Sequence, residues 1–168
     1  ILLPGNQLGA QVEAFGNPEI INQRESVVQI IGSAENLILA VHPGNETNPE
    51  IFLNCIETFG NILVSKQGVK TRPRRIAICA TQMDQPPDPR GDWPAWEDID
   101  QLQQKYTPSY KERSDPDKNA NEIYAELISK MEQVLICRFG QDVANKCIQQ
   151  FKSWSHDHGL WVEYFFTQ

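Results

Sequence analysis

A short apolar stretch within residues 74–84 constrains the fold more strongly than any other part of the chain. Two cations, Arg74 and Arg75, precede five residues without a strong polar group, and the run ends at Thr-Gln-Met-Asp, just before a Gln-Pro-Pro segment. A short apolar run with such abrupt ends is typical of a strand buried on both faces, as in a parallel sheet. We therefore predict a buried parallel strand at residues 76–80.

Asp84 follows this strand at the place where a ligand-reading side chain is expected. In open parallel sheets, ligands bind outside the carboxyl ends of the strands. An aspartate before a proline-rich loop is equally ordinary in a turn. The pattern alone leaves both interpretations of Asp84 open.

The predicted elements alternate between strands and helices up to residue 84. Apolar runs and helical periodicity place strand, helix, strand, helix and strand at residues 1–3, 19–31, 36–41, 49–63 and 76–80. Two further helices, which end at Gly140 and Gly159, lead to a last strand at residues 160–166. This order predicts one α/β domain over residues 1–168, with a three-layer architecture in which helices flank a mostly parallel sheet.

Residues 85–121 differ from the rest of the chain, because they hold most of its prolines and many acidic residues. We predict one short helix around residues 96–106 and otherwise an acidic, proline-rich insertion. A loop of this length in a compact domain is usually functional or disordered. Trp93 and Trp96 would either dock a protein partner or pack the insertion onto its own domain.

The composition argues against several classes of function. The chain has 168 residues and a formal charge of −7, whereas a non-specific binder of nucleic acid needs a basic face. No apolar run reaches the length of a membrane span, and no signal peptide is recognisable. The four cysteines are scattered in a way that fits neither a zinc site nor a disulfide framework, so we expect free thiols and a cytoplasmic location.

Three segments, in this order along the chain, resemble motifs of GTPases. Pro4-Gly5 after an apolar strand looks like the end of the D-x-x-G element, although Leu2 stands where the aspartate would be. Residues 35–45, followed by a helix, are similar to the corresponding strand of dynamin-like large GTPases, and residues 81–84 look like the [N/T]-K-x-D element. The resemblance implies a P-loop GTPase-like fold that binds a guanine nucleotide, with GTP or GDP and Mg²⁺ as the expected cofactors.

The resemblance also implies roles for individual residues. In that family the aspartate accepts two hydrogen bonds from the edge of the guanine ring, which implies that Asp84 reads the base. An ionised carboxylate can accept two parallel donors, and adenine does not offer such a pair. Nucleotide contacts are further implied for Thr81, Gln82 and Gly5, and for Thr167 after the last strand. Gln82 replaces the family's lysine, so the contribution of that cation is lost.

The chain departs from the family in one large respect, because it contains no G-x-x-x-x-G-K-[ST] segment. That loop cradles the phosphates and supplies the residue that holds magnesium, so the residues present cannot hydrolyse GTP by themselves. Hydrolysis would need such a loop upstream of Ile1. The alternative is a nucleotide-free pseudo-GTPase that serves as a protein-interaction module through residues 85–121.

Two other interpretations involve histidines. His42 at a strand end, together with Asp84, would suit an unrelated doubly wound enzyme, although no serine or cysteine elbow accompanies it. His156 and His158 lie at a predicted helix end, where the helix dipole is a sufficient explanation for a histidine. We therefore predict no metal site built from protein ligands and assign no catalytic residue.

Overall fold

The computed structural model describes residues 36–41, 48–67, 75–85, 93–106 and 118–168. These residues form the strands and helices β1 (Asn36–Val41), α1 (Pro49–Gln67), β2 (Arg75–Ala80), α2 (Trp96–Lys105), α3 (Lys118–Phe139), α4 (Gln141–His156) and β3 (Trp161–Phe166). The strand predicted at residues 1–3 and the helix predicted at residues 19–31 lie outside the described residues, as do Gly5 and His42.

The three strands form one parallel sheet in the order β1–β2–β3, with β2 in the centre. In this register Leu37 lies opposite Ile76, which lies opposite Val162. Parallel neighbours need long crossover connections, and the helices provide them. The predicted α/β class, with helices flanking a parallel sheet, is confirmed for this part of the chain.

All four helices contribute side chains to a single apolar core on one face of the sheet. Right-handed crossovers between strands that follow one another in space place their helices on the same face, which accounts for this arrangement. The strand residues on the core face are Leu37, Leu39, Val41, Ile76, Ile78, Ala80, Val162, Tyr164 and Phe166. The described residues thus form two layers, and the third layer stays a prediction.

The opposite face of the sheet is only partly covered. Ile38 and Phe165 expose 44% and 36% of their surface, and Ala77 and Cys79 are half-buried. The prediction that the strand at residues 76–80 is buried on both faces is therefore wrong. Every second residue of β2 faces the helices, and the residues between them lie on a face where no described helix packs.

α1 begins where the sequence predicts and packs closely against α4. The side-chain oxygen of Asn48 accepts a hydrogen bond of 2.9 Å from the Glu50 N–H, which is the capping interaction expected of this residue. The centroids of the Phe59 and Trp154 rings lie 6.0 Å apart. Gly60 allows this approach, because a Cβ at that position would lie 2.6 Å from Trp154 Nε1.

α3 and α4 are separated only by Gly140, which ends α3 as predicted. Its φ of 86° lies in the left-handed region, which glycine adopts without steric cost. α4 then leads into β3, where Tyr164 packs at ring-centroid distances of 5.8 Å from Tyr124 and 6.4 Å from Phe151. Burial raises the pKa of Tyr164 far above its ordinary value, so this side chain stays neutral in the core.

α2 confirms the short helix predicted around residues 96–106. Ile99 and Leu102 bury its inner face in the core. With its amide oriented to satisfy both partners, Gln103 donates to the Phe166 carbonyl at 3.1 Å and accepts from the Phe166 N–H at 3.2 Å. Because β3 lies at an edge of the described sheet, this side chain occupies hydrogen-bonding groups that a neighbouring strand would otherwise use.

Part of the predicted insertion therefore belongs to the folded domain. Trp93 and Trp96 pack against the core, which favours packing on the domain over a docking surface for these two residues. α3 begins at Lys118, inside the predicted boundaries of residues 85–121. The other parts of the insertion, residues 86–92 and 107–117, lie outside the described residues.

Candidate functional site

The loop after the central strand, residues 81–85, lies beside the carboxyl ends of the neighbouring strands. The Thr81 N–H and hydroxyl both donate to the Val41 carbonyl, at 3.1 and 3.4 Å, so the loop begins by continuing the pairing of β2 with β1. The sequence predicts a ligand site at this edge of the sheet, because side chains there extend beyond the strands.

Asp84 lies in the turn of this loop, and its side chain is exposed. A hydrogen bond of 3.0 Å from the Gln85 N–H to the Gln82 carbonyl closes the turn. Within the described part of the chain, the Asp84 carboxylate has no hydrogen-bond or ion-pair partner. Asp84 is thus a turn residue and an available acceptor at once, so the two interpretations of the sequence are compatible.

Gln82 adopts a strained backbone conformation. Its φ of 55° lies in the left-handed region, and no other non-glycine residue of the described ranges has a positive φ. This conformation costs about 1–2 kcal/mol for a residue with a side chain. Such strain persists where the surroundings determine the backbone, and it is often found at functional sites.

Thr167 joins the same loop from β3. Its N–H donates to the Ala80 carbonyl at 2.8 Å, and its carbonyl accepts from the Met83 N–H at 3.0 Å. Burial raises the pKa of the Cys79 thiol, and the Thr167 side chain opposes this shift in part. The carboxyl end of β3 therefore lies against the strained turn.

The structure brings together four of the five residues predicted to contact nucleotide: Thr81, Gln82, Asp84 and Thr167. Gly5 lies outside the described residues. The position of Thr167 is the more informative result, because 81 residues of sequence, which include α2, α3 and α4, separate it from Gln85.

Arg138, in the last turn of α3, joins the ends of β1 and β2. Its terminal nitrogens donate to the Val41 and Thr81 carbonyls, the latter at 2.7 Å. Burial lowers the pKa of Arg138 to about 10, which leaves the guanidinium charged at neutral pH. The sequence does not distinguish this residue, because a cation in the last turn of a helix is ordinarily explained by the helix dipole.

Trp93 completes the contacts around the loop. Its ring lies 4.9 Å from the guanidinium carbon of Arg138, within the range of a cation–π interaction. Its Nε1–H donates to the Met83 carbonyl at 2.6 Å. A residue of the predicted insertion thus contacts the candidate site directly.

The arrangement suits recognition of a ligand that presents hydrogen-bond donors. It offers the exposed Asp84 carboxylate, in a turn that also carries the half-buried Gln82 side chain. The described residues contain no group of three His, Cys, Asp or Glu side chains that could hold a metal ion, so we assign no Mg²⁺ ligand.

No protein-family model, no curated protein and no solved structure matches this chain. Among the described helices, none has the length and apolar character needed to cross a membrane.

Proposed function

We propose that this chain is the guanine-binding portion of a GTPase-like domain. The observation that carries the proposal is the position of the Asp84 carboxylate, which is exposed and follows the central strand of a parallel sheet. Thr167 gives further support, because it contacts the same loop from the adjacent strand, as the resemblance to GTPases implies.

Recognition would depend on matching donors and acceptors. Guanine presents two adjacent donors, the ring N1–H and the exocyclic amine, and the two oxygens of Asp84 accept them in parallel. Both hydrogen bonds are charge-assisted, and such bonds are roughly twice as strong as neutral ones. Adenine presents an acceptor at the ring position, so it leaves one carboxylate oxygen facing a lone pair. Gln82 lies where the family has a lysine against the base, so we expect modest affinity.

Phosphate and Mg²⁺ binding would depend on residues other than this loop. The sequence contains no G-x-x-x-x-G-K-[ST] segment, and the described residues offer no cluster of metal ligands. When bound, Mg²⁺ neutralises charge on the phosphates. We assign base recognition to this chain and make GTP hydrolysis conditional on a phosphate-binding loop supplied from outside it.

Protein-observed NMR tests the proposal, because it detects weak binding residue by residue. Titration of the ¹⁵N-labelled chain with GTP and Mg²⁺ should shift the amide signals of residues 81–85 and Thr167. The same titration with ATP should leave these signals in place. The absence of shifts with GTP, or equal shifts with ATP, would contradict guanine recognition by this loop.

A second candidate function is that of a protein-interaction module. It is favoured by the partly covered face of the sheet, where Ile38 and Phe165 are exposed, because the faces of parallel sheets are usually covered. If this face mediates association, sedimentation should show concentration-dependent assembly of the chain that Ile38→Asp abolishes. If the chain assembles in this way and does not respond to GTP, the function of a protein-interaction module is favoured over that of a nucleotide-binding domain.

A further inference from the structure

We infer that Arg138 and Trp93 are positioning residues, which hold residues 81–85 in the conformation that presents Asp84 to its ligand. The inference rests on the proposed function. It adds two residues to the site that the resemblance to GTPases does not include. One lies at the end of α3 and the other in the segment before α2.

The contacts of Arg138 fix two strand ends relative to each other. The guanidinium is planar and rigid, and it donates at the same time to the Val41 carbonyl of β1 and to the Thr81 carbonyl at the start of the loop. Val41 and Thr81 also pair with each other through the Thr81 N–H. The three groups form a closed triangle, which determines where the loop leaves the sheet.

The stability of the core does not explain an arginine at this position. Within the described residues no carboxylate pairs with Arg138, and its buried Nε has no hydrogen-bond partner. Arg138 is partly buried, and even the partial removal of a cation from water is unfavourable, so an apolar residue here would often be at least as stabilising. The burial of this guanidinium is unfavourable, but its two hydrogen bonds have a fixed geometry. The position that they impose on the two carbonyls is therefore the better explanation for Arg138.

Trp93 holds the next part of the loop. Its ring covers the guanidinium of Arg138, and its Nε1–H donates to the Met83 carbonyl. The Met83 N–H donates to the Thr167 carbonyl, so the two peptide groups that flank the Met83 Cα are both hydrogen-bonded, and Asp84 is the next residue. Movement of Arg138 or Trp93 would therefore be transmitted to the Asp84 carboxylate through one peptide unit.

Hydrogen exchange measured by NMR on this chain tests the positioning role without any ligand. In Arg138→Met, the amides of Thr81 and Met83 should exchange roughly 10- to 100-fold faster relative to the amide of Ile78, because a charged hydrogen bond has been removed. Trp93→Phe keeps an aromatic ring but removes the indole N–H, so Met83 alone should exchange faster. It also serves as the test if Arg138→Met does not fold.

Val134→Ala is the matched control, because Val134 is fully buried in α3 one turn before Arg138. It should speed the exchange of Ile78, Thr81 and Met83 together through the loss of global stability. If Arg138→Met gives the same uniform pattern as Val134→Ala, the residue is merely structural and the inference is wrong.

Titration of the same variants with GTP tests the link to the ligand. Arg138→Met and Trp93→Phe should weaken GTP binding by about tenfold or more, whereas Val134→Ala should leave it within about twofold of the wild-type value. Altered exchange with unchanged GTP affinity would overturn the positioning role. If the wild-type chain does not respond to GTP, the proposed function fails, and the exchange pattern still decides whether the two residues hold the loop.

Discussion

Leu37 and Ile38 are neighbours in β1, yet they belong to faces of the sheet that have opposite environments. Leu37 exposes 3% of its surface and Ile38 exposes 44%. The contrast recurs at the other edge of the sheet, where Tyr164 is buried among aromatic rings and Phe165 is exposed. On the central strand, the residues of the partly covered face are the small residues Ala77 and Cys79.

The face that the helices cover therefore supplies the stability of the described domain. The helices that cover this face are joined to the strands in one continuous apolar core. Burial of apolar surface stabilises by about 25 cal/mol per Å², so residues that keep much of their exposure contribute little. Substitutions on the two faces should therefore differ in their effect on stability.

The first prediction compares two adjacent substitutions of equal chemistry. Leu37→Ala should lower the free energy of unfolding by about 2–5 kcal/mol, because it leaves a cavity in the core. Ile38→Ala, which removes the same number of carbon atoms from the exposed face, should lower it by less than about 1 kcal/mol. Urea unfolding of both variants measures the difference. Equal losses would show that the second face is also buried in solution and would contradict the difference between the two faces.

The second prediction concerns the packing of the helical layer. Gly60→Ala places a methyl group where Trp154 Nε1 would be 2.6 Å away, and this ring is itself buried. Alanine favours a helix over glycine by about 1 kcal/mol, but overpacking costs about 1–3 kcal/mol, so a net loss is expected. The melting temperature should fall by several degrees, whereas Asn61→Ala, on the exposed side of α1, should leave it nearly unchanged. An increase for Gly60→Ala would show that this layer has room to adjust.

The third prediction uses pH to compare a thiol on each face. Burial raises the pKa of Cys147 from 9.0 to about 12, so between these values the folded state holds a proton that the unfolded state releases. The contribution of the buried, protonated Cys147 thiol to the unfolding free energy is therefore complete below pH 9, and it is lost as the pH rises towards 12. Between pH 9 and 10 the loss amounts to about 1 kcal/mol.

Cys147→Ala should therefore flatten the decline in unfolding free energy above pH 9, measured under reducing conditions. Cys79→Ala is the control from the partly covered face, where the thiol is half-buried, and it should flatten the decline less. If both variants flattened the decline in unfolding free energy equally, burial of the thiol would not differ between the two faces.

Most of the described fold could be predicted from local patterns in the sequence. β1 coincides with the apolar run at residues 36–41, and α1 begins at the signal formed by Asn48 and Pro49. The formation of these elements depends on residues that are neighbours in the chain, so the local sequence is enough to predict them. The exposure of the second face could not be predicted, because a continuous apolar run such as that of β2 looks the same whether helices cover one face or two.

The candidate site was predictable only in part, for the same reason. Thr81, Gln82 and Asp84 form a local motif that points to a strand end. Arg138 donates to carbonyls 97 and 57 residues away, and no local pattern records which carbonyls a helix-end arginine will meet. Its role depends on the tertiary arrangement of α3 against the sheet.

The substitution Asp84→Asn tests whether this loop reads guanine. Asparagine replaces one acceptor oxygen by a donor that faces the donors of guanine, so the affinity for GTP should fall by about 2–4 kcal/mol. Xanthosine triphosphate carries a carbonyl where guanine carries its amine, and it should gain relative to GTP. The melting temperature should stay close to that of the wild type, because the exposed carboxylate has no partner in the described part of the chain.

The measurement is the ratio of GTP to xanthosine triphosphate affinity for the wild-type and Asp84→Asn chains, determined by the same NMR titration. We predict a preference for GTP in the wild type and a reversal of that preference in the variant. An unchanged preference in a variant that remains folded would remove Asp84 from the site and contradict the account.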